Sequence, residues 1–211
     1  MRNLFLMLAL AGGALVGCSD DDPPAVDGAV ATLTQDCPTY CSNIATVCSG
    51  ANAQISEANC LGTCAKFPLG AATDTAGVNS LGCRLYHIQN ISVRAGDAAT
   101  HCPHAGPGGA KVDAASGTCG DACTSFCEIE TKSCGTTAAP LTGITPNYAS
   151  VAACVTACAA FDKSVPYTAG TTPAGNTLAC RLYHATNAAV SATAAMTHCK
   201  HTGSPAMAIC I

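Results

Sequence analysis

Sixteen of the seventeen cysteines in this chain fall into two sets of eight that can be laid over one another. Cys37, Cys41 and Cys48 lie 86 residues before Cys123, Cys127 and Cys134, and Cys60 and Cys64 lie 94 before Cys154 and Cys158. Cys83 and Cys102 lie 97 before Cys180 and Cys199, and Cys119 lies 91 before Cys210. The histidines keep the same frame. His87, His101 and His104 map onto His184, His198 and His201, which accounts for all six. The densest match is Cys83-Arg84-Leu85-Tyr86-His87, which returns letter for letter at Cys180-Arg181-Leu182-Tyr183-His184. Self-similarity at a fixed period marks a tandem duplication. The changes of offset mark loops of unequal length. Residues 37–119 and 120–211 are therefore read as two copies of one module.

Composition says why a module of this kind needs its sulfurs. Aromatic residues make up 4% of the chain, tryptophan is absent, and charged residues are 10%. Each repeat has few large side chains to bury and is of a size where core burial alone is marginal. Cysteine at this density belongs to a disulfide scaffold, and bridges persist in compartments outside the reducing cytosol. The expectation is bridges closed within each repeat. No C-x-x-C occurs anywhere. That removes thioredoxin-type exchange, the common zinc ribbons and the C-x-x-C-H attachment of c-type haem.

The pattern between the cysteines is helical. Cys37, Cys41, Ile44 and Cys48 follow an i, i+4, i+7, i+11 stripe. Ser56 can cap a second helix that carries Cys60, Cys64 and Phe67 on one face. A third is predicted from about Thr75 to Arg94, with Leu81, Leu85 and Ile88 inward. A short fourth element leads through Ala98–Cys102 to Pro103, and Gly-Pro-Gly-Gly at 106–109 opens a loop reaching Cys119. The second repeat runs in the same order, through Cys123/Cys127/Cys134, Cys154/Cys158/Phe161, a helix from Leu178 to Val190, and Thr197-His198-Cys199. No stretch alternates apolar and polar residues as a strand does, so the predicted class is all-α.

Two C-x3-C pairs on neighbouring helices resemble the α-hairpinin and twin C-x3-C proteins over residues 37–64 and 123–158. That resemblance implies the pairs Cys37–Cys64, Cys41–Cys60, Cys123–Cys158 and Cys127–Cys154. The remaining cysteines (Cys48, Cys83, Cys102 and Cys119, with Cys134, Cys180, Cys199 and Cys210) allow three pairings per repeat that spacing does not rank. C-x3-C pairs along helices also resemble the copper storage proteins, which implies a rival role: Cu(I) held by reduced thiolates, which suit that soft ion.

The seventeenth cysteine has a separate explanation. Arg2, the apolar run Leu4–Leu10 and the small residues after it read as an export leader, with an apolar stretch too short to span a bilayer. Its end, Leu15-Val16-Gly17-Cys18, resembles the lipobox of bacterial lipoproteins, which implies that Cys18 is lipidated and becomes the first residue of the exported chain. Ser19 after it implies the outer membrane by the same resemblance. Residues 1–18 are thus expected as the signal, and residues 19–36, with five aspartates, two prolines and no basic residue, as an acidic tether. The expected location is the bacterial cell envelope, joined to the membrane through an N-terminal lipid. Eight acids and eight bases remain beyond the leader and tether, with no basic patch of the kind nucleic acid needs, so nucleic acid is not an expected partner.

The chemistry-bearing candidates are few. His101 and His104 sit three apart, and His87 one helical turn after Cys83. If Cys83 is bridged near His101–His104, the three rings converge, and likewise His184, His198 and His201. Three imidazoles suit Zn(II) or Cu(II) with an open position; a non-covalent haem between histidines is a further alternative. Otherwise these rings cap helix ends or brace loops. Arg84, Tyr86, Arg181 and Tyr183 are read either as a repeated surface for an anionic partner or as fillers of a small module. No paired-carboxylate arrangement, nucleophile elbow or phosphate-binding loop appears, so no catalytic residue and no resident cofactor are assigned. The expected role is a binding or structural component that meets an envelope protein or a surface ligand.

Overall fold

The two C-x3-C stripes become the first two helices of each repeat. The computed structural model describes residues 33–93, 97–110, 118–137, 139–170, 174–203 and 209–211. In the first repeat these are α1 (Cys37–Val47), α2 (Glu57–Cys64), α3 (Leu81–Val93) and α4 (Ala98–Ala105). The second repeats the order as α5 (Ala122–Cys134), α6 (Val151–Cys158), α7 (Leu178–Ala188) and α8 (Ala192–His198), followed by a 3-10 turn at Cys199–His201. The fold is all-α, held by disulfides. The strands among the described residues are β1 (Gly135–Thr136) and β2 (Ala139–Pro140), an antiparallel pair inside the loop that is longer in the second repeat.

Eight disulfides are made, four within each repeat. Cys37–Cys64 and Cys41–Cys60 rung the α1–α2 hairpin, and Cys123–Cys158 and Cys127–Cys154 rung α5–α6. The pairings that spacing left open are Cys48–Cys102 and Cys83–Cys119, matched by Cys134–Cys199 and Cys180–Cys210. With all sixteen sulfurs bridged, the thiolate copper store is not the arrangement that the fold adopts. Cys18, the leader and residues 19–32 of the tether lie outside the described residues.

Capping side chains set the helix starts. Asp36 accepts from Thr39 N at 2.7 Å and opens α1. Residues 33–36 are therefore part of the fold rather than of the tether: Leu33 packs on the core, and the Gln35 amide donates to the carbonyls of Leu69 and Gly70. Ser80 accepts from Cys83 N at 3.1 Å, and its counterpart Thr177 accepts from Cys180 N at 3.0 Å. This cap starts α3 at Leu81, six residues later than the hydrophobic pattern alone suggests, because the hydroxyl offers the backbone a stop that periodicity does not register.

The two repeats share one core within a compact unit, Thr32–Ile211. Gly62 on α2 lies against α7 so closely that a Cβ there would sit 2.5 Å from the Ala189 carbonyl oxygen. Beside it Thr63 Oγ1 donates to Thr186 O at 3.3 Å, across the repeat boundary. Among the described residues no helix is long and apolar enough to cross a membrane.

Candidate metal centre

Burial of the repeated arginines fixes the frame on which the histidines sit. Arg84 is 0% and Arg181 2% exposed, so neither can form a surface for an anionic partner. Each guanidinium lies over a phenylalanine, Arg84 at 4.0 Å from the Phe67 centroid and Arg181 at 3.8 Å from that of Phe161. Their donors go to main-chain carbonyls at matching positions. Arg84 Nε and Nη1 reach Gly106 O and Ser80 O at 3.1 and 3.0 Å; Arg181 Nε and Nη1 reach Gly203 O and Thr177 O at 3.1 and 3.2 Å. Burial lowers both pKa values, that of Arg84 to about 10. These arginines tie the start of α3 or α7 to the loop after α4 or α8. Tyr86 is 39% exposed, while Tyr183 packs against the core.

That tie aligns α3 with α4. Cys83 is bridged to Cys119 rather than to the His101–His104 region, and Cys102 is bridged to Cys48. The rings meet all the same, because the two helices pack side by side. His87 Nδ1 lies 2.9 Å from His101 Nδ1, and the His87–His104 and His101–His104 centroids are 5.0 and 6.0 Å apart. One nitrogen from each of the three rings falls within 4.8 Å of the others. The second repeat has the same contact, His184 Nδ1 to His198 Nδ1 at 2.9 Å, with His201 4.7 Å from His184 between centroids.

At two of the three outer positions the clusters differ. His87 Nε2 is 3.1 Å from Thr75 O; a carbonyl only accepts, so this nitrogen carries the proton and Nδ1 presents its lone pair to the cluster. His104 Nε2 is 3.3 Å from Thr118 Oγ1, and His101 Nε2 is 3.9 Å from Asp97 Oδ2. A carbonyl, a hydroxyl and a carboxylate thus stand behind the three rings, the kind of outer contact that orients imidazole ligands. In the second repeat the positions of Asp97 and Thr118 hold Ala194 and Ile209, and His184 Nε2 is buried without a hydrogen-bond partner among the described residues.

Electrostatics keep the inner rings neutral. Burial first, then the neighbouring His104 and His101, push His87 down to about 4; burial, His201 and His198 do the same to His184. A neutral imidazole is the ligating form. Two nitrogens bound at the usual Zn–N length of ~2.1 Å stand about 3.4 Å apart around a tetrahedral ion, so the observed 2.9 Å needs only a small opening. Disulfide sulfurs also approach His87 and His184, but bridged sulfur is not thiolate. The direct contact between rings suits a single ion better than a porphyrin, and none of the described cavities is lined by these histidines.

Residues 25–121 match the model of the BfoA family C-terminal domain. The match spans one repeat with the segment just before it, and ends where α5 begins. None of the curated proteins and none of the solved structures gives a match.

Residues that the sequence did not single out complete the interior. Glu130, 0% exposed, occupies the repeat position of Ile44. Its Oε1 accepts from Asn147 Nδ2 and Thr202 Oγ1, both at 3.1 Å, and Oε2 has no partner among the described residues. Burial raises its pKa to about 7 against the pull of those two bonds. Only the mismatch between an acid and an isoleucine at aligned positions could have drawn attention to it. A second exchange is compensated. Tyr40 donates to Ala105 O at 2.8 Å; its counterpart is Phe126, and the equivalent carbonyl of Thr202 receives the hydroxyl of Tyr148, also at 2.8 Å.

Proposed function

We propose that this chain is a lipid-anchored protein of the bacterial envelope whose first repeat binds one Zn(II) or Cu(II) ion through His87, His101 and His104. The observation that carries the reading is the convergence of three ring nitrogens within 4.8 Å, with His87 oriented by Thr75 and with Thr118 and Asp97 behind the other two. Eight disulfides fit an oxidising compartment outside the cytoplasm, and an anchor at Cys18 would hold the module at the outer membrane. In this reading the ion is bound rather than used for turnover, and the second repeat serves as the structural partner of the first. Envelope proteins or surface ligands would meet the bridged scaffold, with no part for nucleic acid.

Elemental analysis and calorimetric titration of the exported, fully oxidised chain test this directly. One equivalent of Zn(II) or Cu(II) is expected. The pair His101→Ala and His104→Ala should abolish it, while His198→Ala with His201→Ala leaves it in place. If the wild-type chain takes up neither ion, or if the first pair of substitutions lowers only stability, the histidines are braces and the protein is a scaffold. Intact mass of the exported chain, with and without Cys18→Ser, reads the lipid.

A further inference from the structure

A cavity of about 480 Å³ opens in the second repeat against Lys66 of the first, and no histidine lines it. Its walls come from the end of α2, the end of α5, the turn after β2 and the connection between α7 and α8. Leu141, Ile144, Ala188 and Val190 make it largely apolar, and Leu141 and Val190 stay substantially exposed. The size lies within the roughly 300–1,000 Å³ of small-molecule pockets, and the junction of two structural units is a usual place for one.

Two cationic side chains line the same cavity, with Ser133, Thr142 and Ser191 as its other polar residues. Lys66 and Lys132 are two of only five lysines in the chain. The Lys132 ammonium is held by Lys66 O and Glu128 Oε2, each at 2.8 Å, which uses two of its three protons. The Lys66 ammonium makes no hydrogen bond or ion pair among the described residues. Nor does the repeat pattern require these lysines: the aligned positions in the other repeat hold Ala160 and Thr46. Apolar walls and two ammonium groups are complementary to one ligand class. A cation is disfavoured by the lysines, and a neutral hydrocarbon leaves the Lys66 ammonium and the third proton of Lys132 without a partner.

We propose that this inter-repeat cavity binds a small monocarboxylate with an apolar tail, of the medium-chain fatty-acid type. Lys66 and Lys132 receive the carboxylate, and the tail lies along Leu141, Ile144 and Val190.

The test is calorimetric titration of the exported, fully bridged chain, made with Cys18→Ser so that no detergent competes for the ligand. Decanoate should bind with one equivalent. Decanol, with the tail but no charge, and acetate, with the charge but no tail, should each bind at least tenfold more weakly. The double variant Lys66→Gln, Lys132→Gln should lose at least tenfold in decanoate affinity, and Ile144→Asp at least as much, with unchanged disulfide maps and helical circular dichroism showing that the fold is intact. Absence of decanoate binding, equal binding of decanol, or an unaffected double variant overturns the proposal.

Discussion

Replacing Glu130 by glutamine should stabilise the protein, and by an amount that depends on pH. Glutamine keeps an oxygen where Glu130 Oε1 accepts from Asn147 and Thr202, and sets its amide where Oε2 has no partner. The carboxyl titrates near 4.5 when unfolded and near 7 when buried. Each tenfold in proton affinity is worth about 1.4 kcal/mol, so ionisation costs the fold about 3 kcal/mol once complete. Below pH 4.5 both states are protonated and the cost vanishes. Between 4.5 and 7 the native chain holds a proton that the unfolded chain has released, and stability falls as pH rises. Above 7 the full cost is present. The gap between Glu130→Gln and wild type should therefore grow from near zero at pH 4 to about 3 kcal/mol at pH 8. Guanidinium unfolding of both proteins at pH 4, 6 and 8, with disulfides intact, measures it. His87 and His184, depressed to about 4 by burial, tilt stability the other way, since the unfolded chain binds their protons between 4 and 6.5. That slope is common to both proteins and cancels in the difference. A gap that does not vary with pH would refute the reasoning, because the carboxyl would then not be ionising in a buried place.

Three further outcomes follow from the interior. Arg84→Lys should destabilise by about 2–4 kcal/mol in the same unfolding assay, since one ammonium cannot reach both Gly106 O and Ser80 O while lying over Phe67. Tyr40→Phe should cost about 1 kcal/mol by leaving Ala105 O unpaired, whereas Phe126→Tyr should gain nothing, Thr202 O being already served by Tyr148. Replacing Cys83 and Cys119 together by serine opens a loop with a sequence separation of 36 and should lower stability by about 4 kcal/mol. The same change should weaken any metal uptake at His87, which titration of that variant would show.

Much of the fold was legible because a tandem duplication repeats its own evidence. The i, i+4, i+7 stripes at Cys37–Cys48 and Cys123–Cys134 place C-x3-C pairs on helix faces, and a pair of such faces can be rung in few ways. Helix starts were less legible: the apolar run into α3 looks continuous from Thr75, while the Ser80 hydroxyl ends the preceding loop. The arginines show a different gap. A guanidinium in a repeated motif suggests a surface, and only the placement of Phe67 and of the Gly106 and Ser80 carbonyls makes the inside of the module the better environment for Arg84.

What the sequence determined by itself was the repetition: two sets of eight sulfurs and three histidines, with helical spacing between them. Those are properties of spacing along one chain, and helical geometry converts spacing into a face. The tertiary structure alone decided that Cys83 meets Cys119 while Cys102 meets Cys48, that His87 touches His101, and that an acid is shut inside where the other repeat has isoleucine. Each of those depends on which helices lie opposite each other through space, and on the low polarity of what lies between them, which no interval between residues encodes.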